Sequence, residues 1–390
     1  MTLIHNFRLA LGGLLIAGLA ACGGGGGGSS SGANNGSLRL ALTDAPACGF
    51  DSVNLTIEKI RVHQSPSAND ADNGWSEIVL NPARRVNLLN LTNGVLDELG
   101  QTPLPTGKYT QLRMVLAENT TAQPLANSVV LTGGSEVALK TPSGQQSGVK
   151  TNINIDIAAN QMADFVIDFD ACKSVVVAGN SGQILLKPVV TVIPRYISGV
   201  VGFVDATMLS ASTSVSVQQG GVIVKASVPD STGRFMLQPV APGSYTLVLT
   251  ASGRTTMVVT NVVVTTDFVT SVNVTGTRFN PPLSTSGTAN GVAPVNTLVR
   301  VLQPLSAGPT VEVAGRFVDG ITGAYSFPLV VAAPLVAPFV ALPGVLVFTA
   351  DGAAAGRYTL RASLSGFADK SVVLVTLVAG TTITTPITFP

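Results

Sequence analysis

Asp168 and Asp170 are the residues of this chain best suited to acid–base chemistry. Set two apart, they share one face if the segment is a strand. Paired carboxylates of that kind can move protons or hold a cation. The same region offers Lys108, Arg113, Lys150 and Lys187 as cations, with Asp44 as a further acid. Only 11% of the residues are charged, less than half the roughly 25% of an ordinary soluble protein. In so apolar a chain, these seven side chains read first as a structural polar network and second as an active site.

Other chemistry is thinly represented. Histidine occurs twice, at His5 and His63, which argues against multi-histidine metal sites. No G-x-S-x-G motif accompanies His63, so it reads as a surface residue. Asn69-Asp70-Ala71-Asp72-Asn73-Gly74 looks superficially like a calcium loop. Counted from Asn69, however, the third position is Ala71 and the twelfth is Leu80, where an EF-hand needs an oxygen ligand and a glutamate. A hairpin tip before Trp75 is the expectation, with Trp75, the sole tryptophan, in the core rather than on a sugar-stacking surface. The formal charge is +1, which leaves no basic field for nucleic acid. No catalytic, cofactor or metal residue is assigned, and the expectation is a non-enzymatic protein.

The elements that would position these residues are strands. Leu38-Arg39-Leu40-Ala41-Leu42, Val53-Asn54-Leu55-Thr56-Ile57 and Tyr109 to Leu116 alternate with period two. Val/Thr/Ile-rich runs of this kind, broken by Gly, Pro, Asn and Asp, predict an all-β chain of sandwich or partly open barrel type. One helical turn is expected at Gly94–Leu99. Phe327–Phe348 is wholly uncharged, but Pro328, Pro334, Pro338 and Pro343 interrupt it. Proline costs about 3 kcal/mol inside a helix, so a β or loop insertion is expected there instead of a membrane span.

The N-terminus has its own order. Arg8 precedes the apolar run Leu9–Leu19, too short for the roughly 20 residues a spanning helix needs and typical of an export signal. Leu19-Ala20-Ala21-Cys22 resembles the lipobox at which bacterial lipoproteins are cleaved and acylated. The resemblance implies removal of residues 1–21 and lipidation of Cys22. Gly23 stands where a retention signal would place Asp, which favours a lipid-anchored location at the outer membrane. Six glycines, Gly23–Gly28, and a Ser/Asn/Gly stretch complete a flexible tether over residues 22–36. With Cys22 given to lipid, Cys48 and Cys172 remain as an even pair, expected to bridge in an oxidising compartment.

Residues 37–195 resemble family 4382 of the domains of unknown function, found in bacterial lipoproteins. The match is carried by Leu42-Thr43-Asp44-Ala45-Pro46, by Pro105 to Arg113, by Thr141 to Lys150, by Asp168-Phe169-Asp170-Ala171 and by Leu186-Lys187-Pro188-Val189. It implies a β-rich domain and no particular activity. Residues 196–280 and 283–390 look like diverged copies of one another. Gly233-Arg234-Phe235 parallels Gly323-Ala324-Tyr325, and Gly243-Ser244-Tyr245-Thr246-Leu247 parallels Gly356-Arg357-Tyr358-Thr359-Leu360. The pattern resembles carboxypeptidase regulatory-like and starch-binding-like β-sandwich modules, some of which bind carbohydrate.

The expectation is therefore three β-sandwich-type domains in series behind a lipid anchor. A binding or cell-envelope structural role follows, with a glycan or an envelope protein as partner. The alternatives are a hydrolase centred on Asp168 and Asp170, and an assembly component that uses the 327–348 insertion.

Overall fold

In domain one, a four-stranded sheet is built around Asn35–Asp44, which runs antiparallel to Asp97–Pro105 and parallel to Met162–Phe169. Val190–Pro194 closes its other edge. A larger sheet faces it, organised by the long strand Phe50–His63, which pairs with Ser76–Asn87, Gly107–Leu116 and Ser128–Leu131. The computed structural model describes residues 35–44, 49–142, 147–179, 182–209 and 212–390. The lipobox with Cys22, the tether as far as residue 34 and Cys48 lie outside the described residues, whereas Asn35 and Gly36, expected to end the tether, open the first strand. The chain is all-β, and residues 34–390 pack as one unit.

The alternation seen in sequence sets the core. Leu38, Leu40 and Leu42 point inward and meet Leu55, Ile57 and Ile60 of the opposite sheet, each contributing about 1.5–3 kcal/mol by burial. The turn expected at Gly94–Leu99 is not helical. A 3-10 turn falls earlier, at Leu88–Leu91, because the Asn87 side chain caps it by accepting from Leu89 N–H. Asp97 already starts the next strand.

Domains two and three share one topology. In domain two, Gly199–Phe203 lies between antiparallel Arg234–Leu237 and parallel Val269–Ser271. The facing sheet runs Val222–Ser227, Ser214–Gln219, Gly243–Ala251, Arg254–Val264. In domain three, Ser286–Val292 lies between antiparallel Ala324–Val330 and parallel Thr382–Thr384. Its facing sheet runs Thr310–Phe317, Leu298–Pro304, Thr359–Ser363, Lys370–Val373. The repeated glycines have the same task in both. Gly233 (φ +83) and Gly323 (φ +70) hold left-handed turns, and a Cβ there would sit 2.4 Å from Val204 O and 2.1 Å from Ala293 O. Phe235 and Tyr325 follow them into the two cores.

The apolar 327–348 stretch belongs to both domains. Ala324–Val330 is a strand of domain three, but Leu335–Pro338 leaves that sandwich and adds to the edge of domain two, parallel to Met257–Thr260. Phe339, Leu346 and Phe348 then pack on the domain-two core, with Phe348 edge-on to Phe279 at 5.9 Å between ring centroids. Lacking charge, this segment can lie against an apolar edge without a desolvation cost. Pro338 ends its strand and Pro334 and Pro343 fall outside strands, while Pro328 sits within Ala324–Val330 opposite Thr288.

Candidate functional site

The strand that carries Asp168 ends at Phe169, and Asp170 no longer shares its face. Instead Asp170 caps the short helix Ala171–Ser174, where its side chain accepts from Lys173 N–H at 2.9 Å. Aspartate is a strong N-cap residue, and that local preference overrides the two-residue strand spacing. Both acids still border one cleft of about 340 Å³. It lies where the three domains meet, and the other domains supply Lys225, Arg300 and Glu312 to its lining.

Every charge in this junction has a counter-charge. Lys225 Nζ of domain two donates to Asp168 Oδ1 at 2.8 Å. Lys173 Nζ lies 3.2 Å from Asp170 Oδ2 and 3.4 Å from Glu312 Oε1 of domain three. Arg300 NH1 reaches Glu312 Oε2 at 3.7 Å. Three carboxylates thus face three cations.

Burial pushes the carboxyls of Asp168 and Glu312 up, opposed by Lys225 for the first and by Lys173 and Arg300 for the second. Burial pulls the Lys173 ammonium down, but Asp170 and Glu312 together hold it above its ordinary value. Asp44, fully buried beneath the cleft, accepts from Ala171 N–H at 3.0 Å through Oδ1, while Oδ2 has no hydrogen-bond partner. Burial raises its carboxyl well above the ordinary range.

Asp44, Asp168 and Asp170 are therefore brought together, while the other four residues singled out from sequence lie elsewhere. Lys108 and Lys150 are exposed on strands of the larger sheet. Lys187 donates to Asn296 Oδ1 at 2.7 Å in domain three, and burial lowers its ammonium. Arg113 is buried and donates to Gln111 Oε1, Ser147 O and Ala68 O at 2.9, 3.1 and 2.6 Å. Its guanidinium also lies 4.8 Å from the Trp75 ring centroid, with Arg61 at 4.6 Å. Trp75 is consequently not a core residue. It is half-buried between cations, its Nε1 donating to Asn69 O at 2.9 Å.

Lys173, Lys225, Arg300 and Glu312 escape sequence reasoning. Lys173 stands three residues after Asp170, which is a local signal, but Lys225 and Glu312 reach domain one only through long-range pairs that leave no spacing to read.

Further polar contacts join the domains. Asn93, in the left-handed region at φ 59, accepts from Ser227 Oγ and Met236 N through Oδ1. Asp319 Oδ2 accepts from Gly179 N–H at 2.7 Å. Gln218 and Glu312 exchange two hydrogen bonds, 2.7 and 2.8 Å, between the Gln218 amide and the Glu312 backbone.

Residues 35–188 match the domain of unknown function DUF4382. The matched segment covers domain one alone. No curated protein matches the chain. Among solved structures, a streptococcal ancillary pilin is similar at 10% identity, with 90% of this chain and 98% of that chain covered and a TM-score of 0.14. A Ca2+-stabilized adhesin that helps an Antarctic bacterium bind ice is similar at 11% identity, over 89% of this chain and 74% of that one, with a TM-score of 0.11. At these scores neither carries an argument about fold or role.

Both candidate carboxylates are already engaged in this arrangement. A hydrolytic pair needs one carboxylate free to take a proton and another free to stay ionised. Here Lys225 engages Asp168, and the Lys173 amide and ammonium engage Asp170. Leaving one partner of such a buried pair alone costs about 3–5 kcal/mol, and two of the pairs, Lys225–Asp168 and Lys173–Glu312, cross between domains.

Proposed function

We propose that this chain is a lipid-anchored lipoprotein of the bacterial outer membrane with a non-enzymatic, structural or binding role. Its three β domains act as one rigid body. The observation that carries the reading is the ion junction, in which both candidate catalytic carboxylates are consumed by cations that hold domains together. The Leu19–Cys22 lipobox and the glycine run behind it support the anchor. The repeated pattern of residues 196–280 and 283–390 supports regulatory-like or starch-binding-like modules, whose partner is an envelope protein or a glycan.

Palmitate labelling combined with outer-membrane fractionation tests the anchor. Label is expected in the wild-type chain and lost in Cys22→Ala, and label retained in that variant would overturn it. Small-angle scattering of the unlipidated chain tests the rigid body. One compact particle is expected, and a distribution of separated domains would refute the reading.

A further inference from the structure

The shared topology of domains two and three allows one sheet edge to be compared position by position. Leu247 pairs with Val259 in domain two, and its counterpart Leu360 pairs with Val372 in domain three. Met257, Val258, Val259 and Thr260 thus correspond to Lys370, Ser371, Val372 and Val373. In domain two this edge is covered by Leu335–Pro338, an uncharged aliphatic strand running parallel to it, and Met257, Val258 and Val259 are buried. In domain three the equivalent edge pairs, among the described residues, only inward, with Thr359–Ser363.

The open edge is apolar. Val373 is 79% exposed and Val375 71%, and no charged side chain occurs from Ser371 to Pro390. Natural sheets usually blunt free edges with charge. The charges that flank it are engaged: Lys370 donates to Thr388 O of the C-terminal segment at 2.7 Å, and Asp369 pairs with Arg361 at 2.9 Å.

We propose that the Lys370–Val373 edge of domain three is a strand-docking site. Its occupant is an extended, uncharged, aliphatic segment of a partner protein, added parallel as Leu335–Pro338 is added to domain two. The sister edge shows what such a surface accepts, and from Ser371 onward this edge offers no charge to pair with a charged strand. Backbone hydrogen bonds would supply affinity, and alternate aliphatic side chains specificity. The site gives the proposed binding role a surface and a partner chemistry, and so rests on that reading. Its test is independent of the lipid anchor, so either can fail alone.

The probe is a fluorescein-labelled peptide with the sequence of residues 333–340, added to the full unlipidated chain. The peptide is expected to bind, to protect the amides of residues 371–378 from hydrogen exchange, and to bind at least tenfold more weakly to a Val373→Lys/Val375→Lys variant. Both substituted residues are exposed, and an unchanged melting temperature checks that the variant folds. Absence of binding overturns the proposal. So does binding that survives the double substitution, which would place the peptide on the domain-two edge. A dimer of the free chain that the substitutions dissolve would make a second copy the occupant, and overturns the partner assignment.

Discussion

Lys225 Nζ lies 2.8 Å from Asp168 Oδ1 across the boundary between domains two and one, with the lysine side chain almost wholly buried. Removing one of the two leaves a buried charge uncompensated. Lys225→Met is expected to lose about 3–5 kcal/mol in denaturant unfolding. Lys225→Met combined with Asp168→Leu should recover most of that loss, because apolar replacements of a whole pair are often neutral. A double variant as unstable as the single one would show that the pair does not act as a unit.

Asp44 should make stability depend on pH in the direction opposite to most carboxylates. Its folded value is raised by burial, so its contribution is complete below the ordinary aspartate value and is lost as pH rises through the folded one. Asp44→Asn keeps the shape without the titration. Urea midpoints measured from pH 4 upward should fall more steeply in the wild-type chain than in the variant.

Asp319 behaves the other way. The Thr322 N–H first, then those of Ile321 and Gly179, hold its carboxyl down to about 2 against a smaller burial effect. Its contribution is present above the unfolded value and lost as pH falls toward 2. Asp319→Asn should flatten the acid limb of the stability curve between about pH 4 and 2. Equal slopes in variant and wild type would contradict the assignment.

Phe348 packs on Phe279 from outside the domain it covers. Phe348→Ala is expected to cost about 2 kcal/mol, less than a full core phenylalanine because the ring is half-buried. Replacing residues 333–350 by a Gly/Ser segment of equal length should do more, since it bares Met257–Thr260 as an apolar edge. Gel filtration is expected to show self-association of that variant, and a clean monomer would count against the covering role.

Cys48 and Cys172 are expected to form a disulfide closing a long loop, with Cys172 on the helix that Asp170 caps. The double serine variant should lose about 2–5 kcal/mol. Two free thiols in the native protein by mass spectrometry would dispose of the bridge.

Much of the fold is written locally. Alternation places Leu38, Leu40 and Leu42 in the core, and the turn glycines Gly233 and Gly323 mark two copies of one sandwich. The junction is not written that way. Lys225 and Asp168 are 57 residues apart and meet only through domain packing. Asp170 misleads for a related reason, since a capping preference beats strand spacing over a single residue. The Phe327–Phe348 run announces its lack of charge, but nothing in it names the edge it covers.

That segment also orders assembly in time. A chain made from its N-terminus has every domain-two strand from Gly199 to Ser271 well before residues 335–338 emerge. Until they do, the second domain carries a bare, pairing-competent edge, the kind of transient surface that draws growing chains into aggregates. The third domain is thus a built-in caretaker of its neighbour, and truncation ahead of residue 335 should leave an aggregation-prone chain where a simple string of domains would leave a soluble pair.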